Sequence, residues 1–293
     1  MVYLILFVGI CVSSTAAILI KLCDAHPLVI AAYRMSIAAA FLIPWSFARY
    51  RVDTLRLIRR RTLPIVGSGI LLALHFASWI SSLSHTSVAS SALLVTTNPV
   101  FVGVGAWVLL KERIHPRLIT GTVIALVGAF LISYGDLATG GRALHGDLLA
   151  IVGAVAMSGH LLIGRRQRQN IALTPYVTVV YAIAAVVLIM LALSAGQNLA
   201  GHSLRDYGLF VALAVGPQLL GHTSFNYSLR RISPSLLTLL MLVEPIGSSL
   251  LAYAVLSEVP PASTFLGGSV IIAGVVLALF RVKSSDPQEI EDF

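Results

Sequence analysis

Hydrophobic stretches of membrane-spanning length follow one another along almost the whole chain, and they restrict its fold more than any other feature does. An α-helix rises 1.5 Å per residue, so about 20 residues cross the roughly 30 Å of hydrocarbon in a bilayer. Short polar connections separate ten such stretches: 2–20, 27–48, 63–83, 88–110, 117–135, 147–164, 175–195, 207–228, 235–256 and 264–281. The pattern predicts an all-α membrane protein with ten transmembrane helices.

The charged residues agree with this prediction. Hydrophobic residues make up 57% of the chain and charged residues only 11%, as is typical of polytopic membrane proteins. A net charge of +8 can also indicate a nucleic-acid partner. Here the basic residues stand in short runs between apolar stretches and form no continuous basic face. We therefore expect the lipid bilayer, and no nucleic acid, as a partner.

The distribution of Lys and Arg predicts the orientation. With a cytoplasmic N-terminus, sixteen of these residues lie in cytoplasmic connections and the tail, and three, Lys21, Arg142 and Arg205, lie on the opposite side. Cytoplasmic loops of membrane proteins carry such an excess. We expect a multi-pass protein of the inner cell membrane with both termini in the cytoplasm.

The two halves of the sequence correspond to each other. A shift of 146 residues superimposes, without a gap, Pro99 on Pro245, Leu110 on Leu256, Glu112 on Glu258, Gly121 on Gly267, Gly128 on Gly274 and Leu131 on Leu277. A shift of 144 superimposes Gly9 and Ser14 on Gly153 and Ser158. Five spans in each half is an odd number, so one half is expected to be inverted relative to the other. We predict one repeat over residues 1–138, a second over 139–282, and a disordered cytoplasmic tail over 283–293.

The aligned segments resemble a known family. Residues 91–128, with Asn98-Pro99 and Lys111-Glu112, and residues 237–274, with Glu244-Pro245 and Ser257-Glu258, are similar to the two EamA repeats of the drug/metabolite transporter superfamily. Residues 12–34, with Lys21 and Tyr33-Arg34, are similar to the start of such proteins. The resemblance implies two inverted five-helix bundles around a central cavity. It also implies export of a small polar or amphipathic metabolite by alternating access.

Glu244 is the one acidic residue in the interior of a predicted span, because the other eleven fall in apparent loops or at chain and segment ends. A carboxylate at membrane depth costs about 3 kcal/mol, so it usually faces protein or a water-filled cavity. Pro245 follows it and removes a backbone donor, which predicts a bent helix with a free carbonyl nearby. The carboxylate is either a proton-coupling or amine-binding group, or a structural acid bonded to Ser and Thr across a helix joint.

Asn98 and Arg34 are further candidates inside the spans. Asn98 precedes Pro99 midway through its span, as Glu244 precedes Pro245, so two interrupted helices are expected to meet at the midplane. Asn98 binds substrate or links helices. Arg34 is either a clamp for a substrate carboxylate or a structural arginine, snorkelled or paired with Glu244 or with free carbonyls.

Two stripes of polar and aromatic residues are candidate cavity walls. His75 and Trp79 share a face of the third span by their spacing of four. The eighth span carries a helical stripe of Gln218, His222, Phe225 and Asn226. Alternatively, each of these residues only bridges neighbouring helices. The glycine pairs Gly121 with Gly128 and Gly267 with Gly274 are expected to form packing seams.

The sequence lacks the motifs of the common enzyme classes. It contains no His-Glu-x-x-His metal helix and no phosphate-binding loop, so we expect no metal, no cofactor and no enzymatic activity. Ser68 stands between two glycines, but no base partner for it is evident in the sequence. Without a nucleotide site, transport is expected to use a gradient of protons or of the substrate.

We therefore predict a secondary transporter that exports amino acids or related small metabolites, with protons as a possible coupling ion. The alternatives are an uncoupled uniporter or exchanger, a drug or nucleoside exporter, and a non-transporting scaffold or lipid-handling protein. A wetted cavity open to one face would favour transport, whereas a sealed, dry centre would favour the scaffold.

Overall fold

The computed structural model describes residues 1–60, 62–112, 114–133, 141–257 and 262–282. These residues form fourteen α-helices and two π-helical segments, and they include no β-strand. The α-helices are α1 (Val2–Ser13), α2 (Ala16–Lys21), α3 (Pro27–Arg60), α4 (Thr62–Ser82), α5 (Val88–Val95), α6 (Asn98–Gly105), α7 (Pro116–Ser133), α8 (Gly141–Arg168), α9 (Leu173–Ser194), α10 (Leu204–Leu213), α11 (Thr223–Ser228), α12 (Pro234–Met241), α13 (Glu244–Leu256) and α14 (Ala262–Val282). The π-helical segments are Ala106–Leu110 and Ala214–His222.

The protein is an all-α, multi-pass membrane protein. Eight helical stretches in the described residues are long and apolar enough to cross a bilayer: Val2–Lys21, Pro27–Arg59, Leu63–Ser82, Ser90–Leu110, Leu144–Arg168, Leu173–Ser194, Leu204–Ser228 and Pro234–Leu256. Two shorter apolar helices, Pro116–Gly128 and Phe265–Ala278, occupy the other two predicted spans. The count of ten spans therefore stays a prediction. The tail at 283–293, the repeat boundary at 138/139 and Glu258 lie outside the described residues.

Two spans are built from short helices in series, and they are built alike. The fourth predicted span comprises α5, α6 and a π-helical segment, and the ninth comprises α12 and α13. α5 begins after Ser87, whose hydroxyl accepts the N–H of Ser90. α12 begins after Ser233, whose hydroxyl accepts the N–H of Leu236. Both are N-caps of the usual kind. The two caps stand 146 residues apart.

The far ends of the same two spans also share an uncommon backbone conformation. Lys111 has φ 56° and ψ 24°, and Ser257 has φ 58° and ψ 22°. Among the described residues that are not glycine, these two have a positive φ. Residues other than glycine seldom adopt this left-handed conformation. Its occurrence at both positions means that the two helices end in the same way.

α7 and α14 pack together through glycines. A Cβ added to Gly121 would lie 2.6 Å from the carbonyl oxygen of Gly274, and one added to Gly274 would lie 2.5 Å from that of Gly121. A Cβ on Gly128 would lie 2.5 Å from the carbonyl oxygen of Gly267. Such an approach leaves no room for a side chain. The predicted packing seam is confirmed, and the two helices use it against each other.

Candidate functional site

Two helix interruptions place Asn98 and Glu244 inside the protein. Two residues separate α5 from α6, which begins at Asn98, and two separate α12 from α13, which begins at Glu244. The proline after each polar residue has no N–H to give to the preceding turn, so each helix stops and restarts with that proline in its first turn. Both polar side chains therefore stand at the N-terminal end of a half-helix.

A serine from the other half of the chain holds the backbone of each residue. Ser14 donates its hydroxyl to the Glu244 carbonyl at 3.3 Å, and Ser158 donates its hydroxyl to the Asn98 carbonyl at 3.3 Å. Each hydroxyl also bonds the carbonyl four residues earlier in its own segment. Because a shift of 144 superimposes these two serines, the half-helix ends are anchored in equivalent ways.

The Glu244 side chain lines a small cavity. The cavity has about 10 Å³ of space, enough for roughly one water molecule. Its lining is Ser13, Ser14, Ala17, Trp79, Ala92, Val95, Thr96, Glu244 and Ser248. Ser14 and Ser248 bond the Glu244 carbonyl, while no described donor lies within hydrogen-bond distance of its carboxylate. The two serines therefore bond Glu244 at the helix joint through its backbone, and both roles expected for the acid, functional and structural, stay predictions.

Arg34 is fully buried, although it lies in a membrane-spanning helix. Its Nε donates to Oε1 of Gln218 at 2.9 Å, and its guanidinium carbon lies 4.2 Å from the ring centroid of Phe76. Nη1 and Nη2 have no acceptor among the described residues. The ion pairs within 4 Å in this part of the chain are Arg56 with Asp53 and Arg165 with Glu112. Arg34 is thus neither snorkelled nor paired with Glu244.

Aromatic and imidazole rings surround the Arg34 guanidinium. The rings of His75 and Trp79 stack with centroids 5.9 Å apart, and His222 lies 5.1 Å from Phe76 and 5.3 Å from Phe225. The two predicted stripes therefore meet. Phe76 was missed, because a phenylalanine in an apolar span carries no signal that distinguishes it from core packing. Trp79 belongs both to this cluster and to the Glu244 cavity.

A π-helical segment displays Gln218 and His222. The segment Ala214–His222 contains Pro217, which cannot donate a backbone hydrogen bond. π-helical turns are uncommon and are frequent at functional sites. The predicted stripe of Gln218, His222, Phe225 and Asn226 was based on regular α-helical spacing. The wider π-helical turn changes which of these side chains share a helix face. Gln218 contacts Arg34 from this segment, while Phe225 and Asn226 lie in α11.

Asn226 belongs to a different set of contacts. Its side-chain amide nitrogen donates to the backbone carbonyl of His222 at 3.0 Å. Its backbone carbonyl accepts a hydrogen bond from Nε of Arg168 at 3.0 Å. Arg168 is also buried and donates a second bond to the carbonyl of Ile171. Arg168 therefore has backbone acceptors, in contrast to Arg34.

Ser68 has a partner that the sequence did not reveal. Its hydroxyl lies 2.9 Å from Nδ1 of His160 and 2.8 Å from the hydroxyl of Tyr176. The expectation that Ser68 lacks a nearby base was wrong, because His160 is 92 residues away in the sequence and reaches it only through helix packing. All three side chains are fully buried, and Nε2 of His160 has no described partner.

No group of three or more His, Cys, Asp or Glu side chains that could hold a metal occurs in the described ranges. The buried polar atoms without a partner concentrate instead around the ring cluster and the half-helix ends. They include Nη1 and Nη2 of Arg34, Nε1 of Trp79, Oδ1 of Asn98, Nε2 of Gln218 and Nδ1 of His222. Buried polar groups in proteins are normally paired, so this group favours a site that a ligand or water completes.

Comparison with known proteins gives matches along nearly the whole chain. Residues 1–134 and 144–280 match the EamA-like transporter family. An uncharacterized transporter of Archaeoglobus fulgidus is 25% identical over 267 residues, covering 88% of this chain and 89% of that protein. The uncharacterized transporter YyaM of Bacillus subtilis is 24% identical and covers 85% of this chain and 83% of its own length.

Two further similarities concern a named exporter and a solved fold. The pseudopaline exporter CntI of Pseudomonas aeruginosa is 25% identical over 222 residues, covering 73% of this chain and 74% of that protein. One solved crystal structure superimposes on this chain with a TM-score of 0.79 at 21% sequence identity. The superposition covers 95% of this chain and 96% of the other, which establishes a shared fold.

Proposed function

Because the chain belongs to the EamA-like transporter family, we propose that it is a secondary active transporter that exports small metabolites, amino acids or related compounds, by alternating access. One observation carries the proposal: the half-buried carboxylate of Glu244 stands at an interrupted helix inside the membrane-spanning region, and none of the described residues donates a hydrogen bond to it. A carboxylate at membrane depth is costly, and residues of this kind usually mark the pathway of a substrate or an ion.

The proposed architecture is ten helices arranged as two inverted repeats, over residues 1–138 and 139–282. The matching helix breaks, the capping residues Ser87 and Ser233, and the left-handed residues Lys111 and Ser257 support it. The reciprocal glycine contacts of α7 and α14 support it as well, because each helix presents the same face to the other.

The proposed location is the inner membrane, with both termini in the cytoplasm. The excess of sixteen Lys and Arg over three supports this orientation.

The substrate is proposed to bind between Asn98 and Glu244, about which the two bundles rock. The cavity beside Glu244 has room for about one water, so an amino acid needs a wider conformation to enter. A nearly sealed centre is also the feature expected of the scaffold alternative. Membership in a transporter family favours transport, and the sealed centre then represents one closed state of the cycle.

The environment of Glu244 supports a proposal of proton coupling. A half-buried carboxylate at membrane depth is destabilised while it is ionised and has neither a donor nor an ion-pair partner. It is therefore expected to hold a proton or to face a cationic group of the substrate, but not both at once. Exchange of the one for the other would couple export to proton entry.

Efflux from proteoliposomes with an imposed pH gradient tests the proposal. Proteoliposomes that contain the protein are loaded with a radiolabelled amino-acid mixture. The variant Glu244→Gln is compared with Asp53→Asn, which makes the same kind of change at an exposed carboxylate. We expect Glu244→Gln to abolish the response to the gradient and Asp53→Asn to retain it. An unaltered response in Glu244→Gln would exclude the coupling role. Flux that ignores the gradient in the unmodified protein would identify a uniporter or exchanger.

A further inference from the structure

A kink divides α3 into a membrane-spanning part and a short basic segment. Tyr50 has non-helical backbone angles, φ −133° and ψ 29°, inside α3. The hydroxyls of Ser46 and Thr54 lie 2.8 Å apart across this kink, although residues eight apart in a straight α-helix are separated by about 12 Å along its axis. Residues 51–60, called here the basic segment, therefore leave the axis of the span.

The basic segment is amphipathic. Its Thr54 and Leu57 side chains are buried against the rest of the protein. Its exposed charged residues are Arg51, Asp53, Arg56 and Arg59. A helix with one apolar face and a basic polar face is typical of segments that lie in the headgroup region of a bilayer. We therefore expect the basic segment to lie at the membrane surface, beside lipid headgroups.

An apolar groove opens beside the basic segment on the outside of the helix bundle. Thr54, Leu57 and Ile58 of the segment line it, together with the last turns of the span in α3, the start of α4 and one side of α9. Its volume is about 460 Å³, within the range of ligand-binding cavities. Val186, on the α9 side, is 55% exposed, so the groove is open to the surrounding bilayer.

The groove requires an apolar occupant. Its only two polar lining side chains, both in described ranges, are the threonines Thr54 and Thr178. The Thr54 hydroxyl donates to the carbonyl of Tyr50 at 2.9 Å, and the Thr178 hydroxyl donates to the carbonyl of Thr174 at 2.7 Å. Because both hydroxyls are bonded within their own helices, the groove offers hydrocarbon contacts and no free polar group to a ligand.

The length of the groove matches one leaflet of a bilayer. Along α9 it extends from Thr178 to Val187, which is about 14 Å by helical rise. The hydrocarbon of a bilayer is roughly 30 Å thick, so the groove covers about half of it. It begins near the end of α9 that follows the connection proposed to be cytoplasmic. An apolar chain in the groove would therefore have its polar end beside the basic segment.

The charges at that end favour an anionic group. Four exposed arginines, Arg49, Arg51, Arg56 and Arg59, stand against one exposed acid, Asp53. Asp53 pairs with Arg56 at 3.7 Å, and the other three arginines have no ion-pair partner among the described residues. A cluster of four or more basic residues at the cytoplasmic end of a transmembrane helix is typical of a binding site for anionic lipids.

We propose that the groove binds one acyl chain of an anionic phospholipid of the cytoplasmic leaflet and that Arg51 binds its phosphate. Arg51 precedes Thr54 by three residues and Ile58 by seven, so it shares the helix face that lines the groove. The excess positive charge selects a headgroup without a compensating ammonium group. The lining of the groove shares no residue with the Glu244 cavity, so this site is separate from the proposed transport site.

Native mass spectrometry of the detergent-solubilised full chain counts the bound lipids, and the unfolding temperature measures their affinity. The probes are dioleoyl phosphatidylglycerol, phosphatidylethanolamine and phosphatidylcholine, which share their acyl chains and differ in the charge of the headgroup. We expect one phosphatidylglycerol molecule to bind at least about fivefold more tightly than either zwitterionic lipid. The preference should fall toward one as the salt concentration rises, because salt screens exposed charges.

Arg51→Gln tests the headgroup contact. It is expected to lower the affinity for phosphatidylglycerol about fivefold and to leave the affinity for phosphatidylethanolamine nearly unchanged, as the loss of one basic residue at an anionic surface typically does. Arg205→Gln is the matched control, because Arg205 is also exposed but lies in α10, on the opposite side in the proposed orientation. It should keep the preference of the unmodified protein.

Val186→Phe tests the groove. The larger side chain should fill the space of the acyl chain and remove the bound phosphatidylglycerol from the mass spectrum. Val155→Phe makes the same change at a valine of α8 that is 48% exposed and lies outside the groove lining, and it should retain the lipid. The unfolding temperature without added lipid shows whether each variant is folded. If Val186→Phe is unfolded, Ala182→Val fills the same groove with a smaller change.

Three results would overturn the proposal. Equal affinity for the three lipids, or an unaltered preference in Arg51→Gln, would show that the arginines do not select an anionic headgroup. Phosphatidylglycerol that stays bound in the folded groove variant would place the lipid elsewhere. A lipid-free dimer that dissociates in Val186→Phe would show that a second copy of the chain covers the groove. Each result is independent of whether proteoliposomes show flux.

Discussion

Arg165 Nε donates to the Glu112 carboxylate at 2.9 Å and joins the two halves of the chain at one end of the helix bundle. Nη1 of the same guanidinium donates to the carbonyls of Leu229 and Ile232 at 2.9 and 3.3 Å. Arg165, near the end of α8, therefore connects the residues that follow the π-helical segment Ala106–Leu110 to the loop that precedes α12. Both partners of the ion pair are partly exposed, so the link can open without a large structural change.

Arg165→Gln is expected to make the closed centre open more often. The substitution removes the charge and the bonds to three acceptors, and a loss of 1–2 kcal/mol changes a conformational population about 5- to 30-fold. We expect a cysteine introduced at Ser158, beside the Asn98 carbonyl, to react at least about fivefold faster with a membrane-impermeant maleimide. The background carries Cys11→Ser and Cys23→Ser, because both native cysteines are free.

Arg56→Gln is the control for that measurement. It breaks the ion pair with Asp53. That pair is exposed, so its loss is expected to cost little stability. If the reaction at position 158 accelerates equally in Arg56→Gln, or does not accelerate in Arg165→Gln, Arg165 does not hold the bundle closed.

Gly121→Ala is expected to destabilise the protein by loosening α7 from α14. The new Cβ would stand 2.6 Å from the Gly274 carbonyl oxygen and 2.9 Å from the Ala278 Cβ, so one helix must move. Overpacking of this kind typically costs about 1–3 kcal/mol. The unfolding temperature in detergent should fall, while Gly208→Ala, at a helical glycine with open space around its Cβ position, should leave it unchanged or raise it slightly. Equal unfolding temperatures for the two variants would show that the seam contributes little.

The helix breaks were largely predictable, whereas the lateral packing was not. Pro99 and Pro245 each remove a backbone donor, so the sequence alone places an interruption near Asn98 and Glu244. The structure adds that each helix ends completely and leaves two residues before the polar residue, instead of only bending there. The π-helical segment around Pro217 was not predicted, because a proline signals a break without specifying the wider turn that follows.

The candidate site was also predicted only in part, because the sequence identifies single residues but not their packing partners. Rare polar residues in apolar spans identified Arg34, Gln218 and His222, because burying such groups is costly and they seldom occur there without a role. Their partners depend on which helix faces lie together, and hydrophobic periodicity does not contain that information. Phe76 and the Ser68 contact with His160 became apparent only once α4 was packed against its neighbours.

Cys23, just outside the first span, is expected to resist alkylation. Burial, followed by the charges of Asp206 and Asp24, raises the pKa of the Cys23 thiol from 9.0 to about 12. The thiolate is the reactive form, so at pH 8 its fraction falls by roughly two to three orders of magnitude relative to an unperturbed thiol. Mass spectrometry after iodoacetamide treatment should show slow modification of Cys23 in the folded protein and rapid modification in SDS.

The same shift predicts the direction of a stability change with pH. The folded state holds the Cys23 proton more tightly than the unfolded state, so this contribution to stability is complete below about pH 9 and is lost as the pH rises toward 12. Cys23→Ser should reduce the fall in unfolding temperature between pH 8 and pH 10. Rapid alkylation of folded Cys23 at pH 8 would contradict the raised pKa.

Gln218→Glu is expected to stabilise the protein. The new carboxylate would stand where Oε1 of Gln218 now accepts Arg34 Nε at 2.9 Å, so it would neutralise the buried guanidinium from within the protein. The unfolding temperature in detergent should therefore rise in this variant. Gln218→Leu is the comparison, because it removes the acceptor and leaves the charge, which should lower stability. If the unfolding temperature of Gln218→Glu did not rise, the buried charge of Arg34 would not be a cost that the new carboxylate relieves.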